Sequence, residues 1–195
     1  MDKKHISGFT LLELLTVIVV IGVVLSFGIS NLSGFTQNSR MTSTANDLHS
    51  SFLLARTTAS RAKSNVTLCA SANAMDDDAA CGGTLANGWI VFVDANGDIV
   101  RDAGENVIRR FPAIPEQINV TTNGGATYFS FAPTGLGRGD VNGTALRTAL
   151  LCDSRGNVLA AGGSSAARVV VITPIGRSNV MREVDQIDAA TGGCP

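Results

Sequence analysis

Apolar residues are crowded at the amino end of the chain and spaced in steps further on. Residues 9–29 read FTLLELLTVIVVIGVVLSFGI, an almost unbroken apolar run with one acid, Glu13. As a helix rising about 1.5 Å per residue, this run is about 30 Å long, enough to cross a bilayer core. Leu32, Phe35, Met41, Ala45, Leu48, Phe52, Ala55, Ala59 and Ala62 then recur mostly three or four positions apart. That spacing predicts an amphipathic continuation of the helix to about Lys63–Asn65. Its stripe should pack on a globular domain, leaving Arg40, Asp47, Ser51 and Arg61 to solvent or neighbouring subunits. Weak helix formers at Gly28, Ser30, Asn31, Ser33 and Gly34 predict loosening there.

Beyond the helix the pattern shortens to strands. They are expected at 66–69, 88–93, 106–111, 118–122, 127–131, 147–152, 157–160 and 167–173, with glycine clusters as turns. The fold class that follows is α+β: a long amino-terminal helix, one half membrane-spanning and one half amphipathic, packed on a carboxyl-terminal antiparallel β domain in one or two layers.

Charge orients this plan. Lys3 and Lys4 precede the apolar run, which predicts a cytoplasmic amino end and a domain across the membrane. The net charge of −1 points to no polyanionic partner. Its distribution is uneven: residues 71–105 hold seven acids and one base, residues 106–182 eight arginines and three acids. Four cysteines, Cys69, Cys81, Cys152 and Cys194, suit disulfides in an oxidising compartment. Three pairings are possible; Cys69–Cys81, closing a short loop, and Cys152–Cys194, tying down the carboxyl end, are favoured. The alternative, a zinc site, lacks C-x-x-C or paired-histidine spacing.

Candidate chemistry is sparse. The two histidines are His5, in the leader, and His49, in the helical stripe region, so no catalytic constellation assembles and no cofactor is implied. Asp76-Asp77-Asp78 reads as a solvated loop between cysteines. Asp94, Asn96, Asp98, Val100, Asp102 and Glu105 stand at the oxygen-ligand places of a twelve-residue calcium loop. Ile99, however, occupies the place where that loop needs glycine, and the flanks read as strands, so a hairpin loop turning at Asn96-Gly97 is the simpler reading.

Gly8-Phe9-Thr10-Leu11-Leu12-Glu13 resembles the type III leader of type IV pilins and type II secretion pseudopilins. The resemblance implies a leader at 1–8, cut by a prepilin peptidase between Gly8 and Phe9, and methylation of the Phe9 amine. It implies that Glu13 neutralises the terminal amine of a neighbouring subunit. Leu53-Leu54-Ala55-Arg56 through Val66-Thr67-Leu68-Cys69, together with Gly88-Trp89-Ile90-Val91-Phe92-Val93-Asp94, resembles the FimT/FimU/GspH group. Residues 9–29 would be the assembly helix, 30–64 its continuation and 65–195 the periplasmic or extracellular domain. The partners implied are major and minor pilins, the peptidase and the inner membrane. Residues 167–177 resemble the region where FimT-type minor pilins carry a Gly-Arg-x-Arg motif associated with DNA. Gly176 and Arg177 match it, Asn179 replaces the second arginine, and Arg182 lies three residues on. The expected role is a minor pilin of a type IV pilus, in priming, tip formation, twitching, adhesion or DNA uptake. The alternatives are a GspH-type pseudopilin of type II secretion and a DNA receptor on the pilus.

Overall fold

The computed structural model describes residues 9–160 and 162–194, and of residues 27–32 the backbone only. The chain divides into two compact units, one up to Ser39 and one from Arg40 onward.

Helix α1 (Leu11–Ala62) contributes to both units. It runs without a break through residues 28–34, where loosening is expected from composition. A glycine costs about 1 kcal/mol in a helix interior. That is less than the cost of nucleating a helix twice. The helix ends at Ala62, and Lys63 takes a left-handed φ of +52°, a conformation common just past a helix end. In the first unit the apolar side chains from Phe9 to Leu25 are exposed, as is Phe35 at 71%.

In the second unit the stripe is the core. Met41, Ala45, Leu48, Phe52, Ala55 and Ala59 are all buried. Phe52 meets Phe129 edge-on, with centroids 5.9 Å apart. Ala62 is exposed, so the stripe stops one turn early. Ser51, expected outward, is buried at 0% exposure. Its hydroxyl donates to the Asp47 carbonyl and accepts from the Trp89 indole N–H at 2.9 Å. A hydroxyl satisfied in this way tolerates burial.

Two antiparallel four-stranded sheets follow. The first contains β1 (Val66–Ala70), β2 (Trp89–Val93), β3 (Val107–Phe111) and β5 (Tyr128–Phe131), in the order β3-β2-β1-β5. The second contains β4 (Asn119–Thr122), β6 (Thr148–Cys152), β7 (Arg168–Ile172) and β8 (Ser178–Met181), in the order β4-β6-β7-β8. Val66, Leu68 and Ala70 alternate with Thr67 and Cys69 between the two faces of the first sheet.

In the second sheet Leu151, Val170 and Ile172 join the core that includes α1, while Leu150 and Val169 face a smaller cluster around Ile187. Ile187 belongs to α2 (Val184–Thr191), which therefore covers the opposite face of that sheet. The expected strand at 157–160 is reduced to one bridge, Leu159 with Ser165. Strand β8 and helix α2 carry no expectation from the sequence.

Candidate functional site

Three sets of residues stand out from the sequence, and the structure treats each differently. At the amino end, Gly8 lies outside the described residues. Phe9 is 82% exposed and precedes α1, whose first turn holds Glu13. The Glu13 amide donates to the Thr10 hydroxyl at 3.2 Å, so Thr10 caps the helix. The signal for that cap, a threonine three residues before a glutamate, is present in the sequence. Among the described residues no helix is long and apolar enough to cross a membrane.

The acidic loop between β2 and β3 is built around Asp94, which is fully buried. Its carboxylate accepts from the Thr67 hydroxyl (2.7 Å) and from the amides of Gly97 (2.7 Å) and Ile99 (3.2 Å). Arg138 lies 3.8 Å from the same carboxylate and donates to the Gly97 carbonyl and the Ser130 hydroxyl. Asn96 donates to Asp98 and Asp102, and Glu105 accepts from the amides of Ala95 and Asp102. These oxygens therefore organise the loop through its own N–H groups. Ile99 takes a left-handed φ of +72° where a calcium loop has glycine. Among the described residues no three His, Cys, Asp or Glu side chains gather so as to hold a metal ion.

The arginine motif is split by the strands that carry it. Residues 173–177 form the turn of the β7–β8 hairpin, with the Thr173 amide donating to the Arg177 carbonyl. Side chains alternate along an extended strand, so residues an odd number apart point to opposite faces. Val180 packs on the core that includes α1, and Met181 on the α2 side. Arg177 closes the turn before β8 and Arg182 directly follows β8, where it lines a hollow with Asn179, Val180 and Arg168. The four residues of β8 thus separate Arg177 from Arg182.

Gly176 has a packing role. It is buried with φ +76°, and a Cβ there would come within 2.5 Å of the Phe131 ring. Arg56, late in α1, donates to its carbonyl at 3.4 Å and so ties the helix to this turn, a role invisible in the sequence. Gly176→Ala should lower stability by about 2–4 kcal/mol, from left-handed strain plus overpacking. A thermal midpoint within a degree of the parent would contradict this.

Both favoured disulfides are present, Cys69–Cys81 and Cys152–Cys194. The first closes the exposed loop bearing Asp76, Asp77 and Asp78, where Asn73 accepts from the Ala80 amide.

The family model described as type II transport protein GspH matches residues 44–176. The prokaryotic N-terminal methylation motif matches residues 3–29. Among curated proteins none matches. Two crystal structures of the type IV minor pilin FimU from Pseudomonas aeruginosa PAO1 are similar. In space group P21 it is 17% identical, with a TM-score of 0.48, over 75% of this chain and 91% of that one. In space group P65 it is 14% identical, with a TM-score of 0.41, over 71% and 90%. With a family match over more than half its length and the methylation motif ahead of it, this chain belongs to the GspH family, as a pilin or pseudopilin and a structural rather than catalytic component.

Proposed function

We propose that this chain is a minor pilin of a type IV pilus that primes assembly or stands in the tip complex. One observation carries the reading: the methylation motif covers the residues in which Phe9 precedes α1 and Glu13 occupies its first turn. In this reading the prepilin peptidase cuts between Gly8 and Phe9 and methylates Phe9. The apolar run, which the sequence continues to Ile29, then holds the subunit in the inner membrane with the domain from residue 65 in the periplasm. On assembly the helix moves into a bundle of like helices.

The physical reason for Glu13 is charge compensation. A lone carboxylate among Leu11, Leu12, Leu14 and Leu15 is costly in lipid. A neighbour's terminal ammonium offsets that cost, and removing either partner strands the other. Glu13→Val should still be cut after Gly8 but should enter filaments about tenfold less, or worse, when sheared pili are quantified by immunoblot. Normal incorporation would count against the amine pairing.

A second reading, a type II secretion pseudopilin, is favoured by the description of the matching family. A deletion strain separates the two. Loss of surface pili and twitching with intact exoprotein release supports the pilus; the reverse supports secretion.

A further inference from the structure

A hollow of about 350 Å³ lies where the lower part of α1 meets β7 and β8. It is lined by Thr42, Asn46 and His49 from α1, and by Arg168, Asn179 and Arg182 from the sheet side. No acid lines it.

Arg168 is the unusual member. It stands first in β7 and is 6% exposed. One guanidinium nitrogen donates to the carbonyls of Ser165 and Ala167, but the enclosed Nε–H has no partner. Arg182 directly follows β8, its carbonyl accepts from the Ser165 amide, and it lines the same hollow as Arg168. Like charges brought close together repel. Burial first, then Arg182 and Arg155, hold the Arg168 guanidinium below its ordinary pKa. The one acid that acts on it, Asp153, is already paired with Arg155 at 2.6 Å. Among the described residues neither Arg168 nor Arg182 takes part in an ion pair. On the helix side, His49 Nδ1 is likewise enclosed and without a partner.

A buried cation with an unused donor and an enclosed, unpartnered ring nitrogen border one polar hollow, with exposed Arg182 at its side. We infer that this hollow binds a single oxyanion, a carboxylate or phosphate group, held by Arg168 and Arg182 with His49 opposite. Guanidinium groups suit such oxygens because their N–H donors match the planar or tetrahedral array. The volume has room for such a group. The site is distinct from the turn that carries Arg177, and it does not depend on which assembly the subunit joins.

The test uses the full-length protein in detergent micelles, titrated with sodium phosphate and separately with sodium acetate at constant ionic strength. The Arg168 Nε–H and His49 ring resonances should move together and saturate with at least one anion. Saturation by phosphate alone assigns a tetrahedral ligand, and saturation by acetate alone a carboxylate; either supports the site. Arg182→Gln should weaken that binding about tenfold, the effect of one lost charged hydrogen bond. Arg61→Gln, at the exposed helix end, should leave it unchanged. Arg168 itself stays intact, because it also holds the Ser165 and Ala167 carbonyls. No saturation with either anion, or equal weakening by Arg61→Gln and Arg182→Gln, would overturn the inference.

Discussion

Asp94→Ala is expected to destabilise the β domain by about 3–5 kcal/mol, as removal of one partner from a buried charged network does. Asp94 is fully buried and accepts from the Thr67 hydroxyl and the Gly97 and Ile99 amides, with Arg138 close by. Alanine would strand these donors together, each at a desolvation cost of about 1–3 kcal/mol. It would also release Ile99. A β-branched residue with φ +72° is strained by about 1–2 kcal/mol or more, and the bond from its amide to Asp94 helps to hold it there. Asp94→Asn keeps an acceptor and should cost less than Asp94→Ala. Chemical denaturation in detergent measures the first effect. Hydrogen exchange at the Gly97 and Ile99 amides reports whether the loop opens. A loss below about 1 kcal/mol would mean that the loop is held by other contacts.

Removing the second disulfide should have an effect of similar size. Cys152→Ser with Cys194→Ser opens a bridge with a sequence separation of 42, against 12 for Cys69–Cys81. Loop-closure entropy then predicts losses of about 4 and about 3 kcal/mol respectively. The larger loss has a local consequence as well. Helix α2 has eight residues, too few to persist without tertiary support. Its anchors are buried Ile187, the Asn157 side-chain amide that donates to the Val184 carbonyl and the Asp188 carboxylate, and the Cys152–Cys194 bridge just past its end. In the double serine variant, limited proteolysis should cut within residues 184–194 before any site in the first sheet. Equal resistance of that segment in variant and parent would show that Ile187 and the Asn157 hydrogen bonds suffice.

Particular residues show how far local pattern reaches. The spacing of Met41, Ala45, Leu48, Phe52, Ala55 and Ala59 reports a buried stripe correctly, because those side chains recur on one face of any helix. Ser51 breaks the same logic. Its burial depends on the Trp89 indole, thirty-eight positions away, which arrives only when the first sheet packs on α1. The short Ser178–Met181 segment lacks its own hydrophobic alternation, and its pairing with β7 makes it a strand. Residues 157–160 show the reverse, an apolar segment that finds only one bridge.

The candidate sites divide in the same way. The cysteine pairing can be read from the chain because loop length is a property of sequence order. Where Arg182 points, what surrounds Asp94 and why Gly176 must be glycine cannot be read there. Each depends on cross-strand register or on a ring brought in from another element, Phe131 in the last case. The sequence by itself determined the long helix, most of the strands and the cysteine pairing to favour, since these follow from periodicity and short-range order. Only the tertiary structure decided that the strands form two sheets, that Gly176 packs against Phe131, and that Arg168, Arg182 and His49 line one hollow. Periodicity tells a side chain which face of its own element it occupies; only long-range packing decides what stands opposite.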